Sequence, residues 1–124
     1  PGMAEHRNAL ALTQTQLALV LAQVGKHVDA ETEFRKAILV REKLVEDYPT
    51  VPEYHVRLAG AVDLFADFFV RRKQIADAHD QVCEAVKIRE KALAAFPPKR
   101  SIRFDLSMNH VNRGILLRIL GKHE

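Results

Sequence analysis

Apolar residues along the chain recur at spacings of three, four and seven, the stripe expected of a helix with 3.6 residues per turn. No segment sustains a period of two, so no strand is expected. From Ala4 to Val24 every residue tolerates a helix, and Leu10, Leu17, Val20, Leu21 and Val24 mark its predicted buried stripe. Gly25 offers a left-handed C-cap, with Lys26 and His27 in the turn. A second helix is predicted from about Asp29 to Asp47, turning Ala30, Phe34, Ala37, Ile38, the stem of Arg41, and Leu44 inward. Pro49 and Pro52 stop it. A third helix should run from about Pro52 to Arg72 and a fourth from Ile75 to Ala95, with a turn near Lys73 between them and Pro97-Pro98 as the stop. The last predicted helix spans Ser101 to Leu120, with Ser101 as N-cap and Gly121 closing it.

The pattern repeats with an offset of 48. Arg41-Glu42-Lys43 recurs as Arg89-Glu90-Lys91, Asp29-Ala30 as Asp77-Ala78, Ala37 as Ala85 and Pro49 as Pro97. Leu10, Leu58 and Leu106 form a triple in the same register, as do Ala18, Ala66 and Gly114, and Leu21, Phe69 and Leu117. Tyr48 and Phe96 each place an aromatic ring before the stopping proline. The chain therefore holds about two and a half copies of one helix pair: repeat 1 over about 6–53, repeat 2 over about 54–101 and a half repeat over 102–124, in a single domain from residue 3. Pro1 and Gly2 precede Met3 and read as a tag remnant. The small residues at 18, 66 and 114 are expected where paired helices approach most closely, with Ala30 and Ala78 opposite the first two and with Phe34 and Val82 filling the gap toward the next pair.

At these residues the unit resembles the tetratricopeptide repeat. Its order of large, small and large apolar residues, turn glycine, alanine, aromatic, alanine appears as Leu17, Ala18, Leu21, Gly25, Ala30, Phe34, Ala37. It appears again, less regularly, as Phe65, Ala66, Phe69, Lys73, Ala78, Val82, Ala85. The third copy reads Arg113, Gly114, Leu117, Gly121. The period is longer than the family's usual one, Lys73 replaces the turn glycine and Arg113 replaces an apolar residue. The long unit is similar to arrays attached to bacterial serine/threonine kinases and, more distantly, to kinesin light chain repeats. The resemblance implies an all-α fold, a right-handed superhelical array of antiparallel helix pairs. It also implies a concave face lined by the first helix of each pair.

Carried onto this sequence, the family's groove positions fall at Leu12, Thr15, Leu19, Ala22 and Gln23, then at Asp63, Asp67, Val70 and Arg71. In the last helix they fall at Met108, Val111, Ile115, Arg118 and Ile119. Such a groove, part apolar and part charged, suits an amphipathic helix or extended peptide, and the implied function is a protein-binding scaffold. The alternative is a spacer within a longer array, with no ligand of its own, since the chain ends where a further second helix would begin. The positions at which some family members grip a terminal carboxylate hold Leu19, Asp67 and Ile115, and an aspartate there argues against that mode. Phe65, Phe68 and Phe69 lie on the core stripe rather than forming a binding hot spot. The last helix carries too many apolar residues for one buried stripe, so a homodimer through this exposed terminal helix is a further expectation.

Composition narrows the chemistry. Of 124 residues 48% are hydrophobic and 28% charged, as in globular chains, and no apolar run approaches the roughly 20 residues of a membrane span. The net charge of +3 is spread among interleaved acids and bases, the mark of a solvated surface. Only Arg71-Arg72-Lys73 and Lys99-Arg100 with Arg103 cluster positive charge. No aromatic residues are interleaved for stacking, which leaves RNA binding the weakest alternative. The single cysteine, Cys83, excludes an intrachain disulfide and fits a cytoplasmic setting. Six histidines raise the question of a metal, but neither a His-Glu-x-x-His nor a Cys-x-x-Cys motif occurs, and His55 and His79 show no i+4 ligand partner. No cofactor, metal site or catalytic constellation is expected, and the chain reads as a non-enzyme.

Overall fold

The computed structural model describes residues 2–97 and 99–121, and among these the chain is all helical, without a strand. Five helices follow in order: α1 (Gly2–Gln23), α2 (His27–Asp47), α3 (Pro52–Arg71), α4 (Ile75–Ala95) and α5 (Arg100–Ile119). None of them is long and apolar enough to cross a membrane. The chain divides into two compact units, Pro1–Ala61 and Val62–Glu124, and the division falls inside α3. Of the two prolines expected to end α4, Pro98 lies outside the described residues.

In the first unit α1 packs against α2. The face of α1 that is buried is not the predicted one. Ala4, Ala11, Thr15 and Ala18 are buried, whereas Leu10, Leu17, Val20 and Val24 are exposed and Leu21 is half-buried. Apolar residues occur around most of α1, so periodicity alone does not select a face. The small residues do, because only they let two backbones approach closely. On α2 the predicted stripe holds: Ala30, Phe34, Ala37, Arg41 and Leu44 are buried, with Ile38 half-buried. The pair is antiparallel, since Arg7 near the start of α1 is bonded to Asp47 at the end of α2. The chain then turns through Tyr48 and Pro49. His55 Nε2 donates to the Pro49 carbonyl at 2.9 Å, and Tyr54 meets Tyr48 edge to face.

In the second unit Phe65, Phe68 and Phe69 of α3 are all buried, with the Phe65 and Phe69 rings 4.6 Å apart. They form core, as their place on the stripe predicts. Buried residues of α4 follow the same spacing as α2: Ala78, Val82, Ala85, Val86, Arg89 and Ala92. Helix α5 packs against α4 and buries Ile102, Asn109 and Leu116. Two expectations fail here. Lys99, not Ser101, is the N-cap of α5, and it makes no side-chain cap; Ser101 lies inside the first turn, so its hydroxyl is past the position from which a cap is made. A Cβ on Gly114 would meet nothing within 4 Å, so no helix approaches closely there, unlike at the buried Ala18 and Ala66.

The turns between α1 and α2 and between α3 and α4 use the same closing device. Gly25 has φ of 84°, with Lys26 N–H donating to the Leu21 carbonyl at 2.9 Å and Gly25 N–H to that of Ala22 at 3.2 Å. After α3 the same two bonds run from Gln74 to Phe69 and from Lys73 to Val70, both at 2.9 Å. Lys73 holds the left-handed position at φ of 61° without the freedom of glycine.

Candidate interaction groove

Asp63, Asp67 and Val70 are four and three residues apart and so share one face of α3. Met108, Asn112, Ile115 and Ile119 do the same on α5. Between these two rows, within the second unit, lies an open groove of about 380 Å³, with Ala66 and Val82 at its floor. The alanine and valine side chains are short, and this gives the groove its depth. Its lining is apolar along Val70, Met108, Ile115 and Ile119 and acidic at Asp63, Asp67 and Asp105.

The acidic end is fixed by a buried arginine. Arg89 comes from α4 and its side chain is 6% exposed. Its two terminal nitrogens donate to Asp63 Oδ1 at 3.1 Å and Oδ2 at 2.7 Å. The first nitrogen also donates to Asn109 Oδ1 at 2.6 Å, and Asn109 Nδ2 donates back to Asp63 at 3.0 Å. Asp105 stands 3.9 Å from the second nitrogen. Three helices thereby meet in one charge-assisted network, which sets the position of the Asp63 carboxylate. Asp67 is held differently, by an exposed pair with Arg71 at 2.8 Å. That hydrogen bond and charge raise the Arg71 pKa. Such a surface pair costs little to exchange for another cation.

The structure brings Asp63, Asp67, Val70, Met108, Ile115 and Ile119 together in this groove, while Arg71, Val111 and Arg118 are exposed outside its lining. In the first unit Leu12, Leu19 and Gln23 are exposed on α1 and Ala22 is half-buried. Thr15 does not face a groove. It is buried in the small-residue row of α1, and its hydroxyl donates to the Ala11 carbonyl at 2.8 Å. Asn109, Asp105 and Asn112 escaped the sequence reading because a polar residue on a mostly apolar helix resembles surface. The available signal was the arginine recurring at 41 and 89 on a buried stripe, which demands an internal partner. A second pairing was also legible as an i,i+4 spacing: His79 Nε2 lies 3.6 Å from Cys83 Sγ on α4, so His79 does have a neighbour one turn on. Among the described residues no third histidine, cysteine or carboxylate joins them to hold a metal.

No protein-family profile matches the chain, and no curated protein or solved structure is significantly similar to it.

Proposed function

We propose that this chain is a protein-interaction module, an array of helix pairs of the tetratricopeptide type, that takes a segment of a partner protein into the groove between α3 and α5. One observation carries the reading. The groove joins an apolar floor to an acidic rim, in which the Arg89 network fixes the Asp63 carboxylate in advance. Preorganised polar groups beside an apolar trough are what a peptide site needs, since they avoid ordering costs on binding. The acids select the occupant: an amphipathic segment with apolar side chains toward Ile115 and a lysine or arginine toward Asp67 and Asp105. A cytoplasmic setting suits the lone Cys83.

The test is an array of amphipathic peptides in basic, neutral and acidic versions, followed by anisotropy titration of the binders. Basic peptides should bind best. Asp67→Lys and Ile115→Glu should each weaken them by about tenfold, equivalent to about 1.4 kcal/mol. Glu84→Lys, on the exposed face of α4, should leave them unchanged. Binding that ignores both groove substitutions defeats the proposal.

A second reading, a spacer within a longer array, draws on a different observation. Leu10, Leu17 and Val20 of α1 are exposed, yet their counterparts 48 residues on, Leu58, Phe65 and Phe68, are all buried. The face of α1 thus carries the side chains that this repeat uses for core. An absence of any peptide ligand, with a gain in stability when a further helix pair is fused ahead of α1, would favour the spacer.

A further inference from the structure

Arg41 and Arg89 occupy the same position of the repeat but opposite electrostatic surroundings. Both are buried, at 7% and 5% exposure. Arg89 is matched by the carboxylates of Asp63 and Asp105. Subtracting 48 from those positions gives Thr15 and Arg57. The first unit therefore has a neutral residue where the second has its main counter-ion, and a cation where the second has its other acid. Among the described residues the Arg41 guanidinium makes one hydrogen bond, from a terminal nitrogen to Asn8 Oδ1 at 2.9 Å. The hydroxyl of Thr15 is committed to Ala11. Arg57 is exposed, and its Nε is held by Glu53 at 3.3 Å. Burial, and then the nearby Arg57 charge, lower the Arg41 pKa.

Among the described residues Arg41 is a largely buried side chain whose guanidinium has no carboxylate partner, and the second unit displays the arrangement that completes such a group. We infer that Arg41, with Asn8 beside it, forms a carboxylate-binding site that takes an aspartate or glutamate side chain of a partner, held as Arg89 holds Asp63. The ligand class follows from the internal template. In the second unit two parallel N–H donors meet the two oxygens of one carboxylate, with an asparagine oxygen completing the set. In the first unit the arginine and an asparagine are present, and the carboxylate is left for another chain to supply. This site goes beyond the groove proposed above, for it lies in the other unit and selects the opposite charge.

The experiment is an NMR titration of the full chain, following the Arg41 Nε–H and the Asn8 side-chain amide. The probes are a blocked Leu-Glu-Leu tripeptide, its glutamine counterpart and inorganic phosphate. The glutamate peptide should give saturable shifts at both signals, and the glutamine peptide should bind about tenfold more weakly, for loss of the charge-assisted bond. Thr15→Asp should place a carboxylate in the site and abolish those shifts. Arg57→Asp, at an exposed position that does not threaten folding, should do the same. Asp67→Lys, which damages the other groove, should leave the titration unchanged, so the two proposals fail separately. Silence at Arg41 with the glutamate peptide, undiminished binding by Arg57→Asp, or a response to phosphate alone would each overturn the inference.

Discussion

Asp63 grips the buried guanidinium of Arg89 with both carboxylate oxygens, at 3.1 and 2.7 Å, and so ties α3 to α4. Because Asn109 bridges the same two groups, the triad also reaches α5. Its parts are not equal in consequence. Asp63→Ala leaves a nearly buried cation with an asparagine and the more distant Asp105. The loss expected is about 2 kcal/mol, below the fully buried value because the Asp63 side chain is partly exposed. Arg89→Met removes the charge together with its need for a partner and should cost less than Asp63→Ala. Urea denaturation of both variants checks the order, and a larger loss for Arg89→Met would show that the network stabilises more than it merely compensates.

Lys73 and Gly114 stand in positions that suit each other's residue type. Lys73 holds a left-handed backbone at φ of 61°, and Gly114 lies mid-helix where a Cβ would meet nothing within 4 Å. Lys73→Gly should stabilise by about 0.5–1 kcal/mol through relief of that conformation, partly offset by the greater freedom of glycine in the unfolded chain. Gly114→Ala should stabilise by roughly 1 kcal/mol through helix propensity. Gly25→Ala, at φ of 84°, should do the reverse by roughly 1 kcal/mol. Thermal melts of the three variants decide the signs.

Arg7 and Asp47 couple the open ends of α1 and α2 and give the first unit an acid-sensitive contact. Asp47 sits at the C-terminal end of α2, where the helix dipole disfavours a negative charge. The hydrogen bond from Arg7, and then the charges of Arg7 and Lys43, nevertheless lower its pKa from the ordinary 3.8. A carboxylate depressed in the folded state adds stability that is complete above its unfolded pKa and vanishes as the pH falls through the folded one. The stability difference between the wild type and Asp47→Asn should therefore be flat above about pH 5 and shrink below 3.8. A difference that grows with acidity would contradict the assignment.

Most of the helix map was legible because glycine, proline and the 48-residue offset punctuate the chain strongly. The limits of α4 match the expectation residue for residue, and those of α3 and α5 lie within one residue of it. The faces were less legible where the pattern is degenerate. Helix α2 has one apolar stripe among charges, and its buried set follows directly. Helix α1 offers leucines on several faces, and the burial of Ala11, Thr15 and Ala18 depends on how closely α2 approaches, which no periodicity encodes. The groove was legible at Asp63 and Ile115 through the resemblance. Its anchor at Asn109 was not, since an asparagine declares its partner only once Arg89 is seen to reach it.

The exposed side of α5 carries the last prediction. Phe104, Met108, Val111, Ile115 and Ile119 are spaced by four, three, four and four residues, so they form one stripe. All five are exposed. The buried residues of this helix, Ile102, Asn109 and Leu116, form a separate row beside that stripe. An exposed apolar stripe of this length exceeds what scattered surface residues produce, and burying it would gain about 25 cal/mol per Å² of apolar area. Pairing two such stripes about a two-fold axis satisfies both at once, because each copy offers the same surface. We expect a weak dimer that forms as concentration rises. Phe104 and Val111 lie outside the lining of the groove, whereas Ile115 and Ile119 belong to it. Phe104→Glu combined with Val111→Glu should therefore abolish the dimer while leaving a groove peptide bound. Sedimentation equilibrium from low micromolar to several hundred micromolar reads the first effect and anisotropy the second. A monomeric mass throughout that range would exclude this contact, and a dimer that survives the double substitution would place it on another surface.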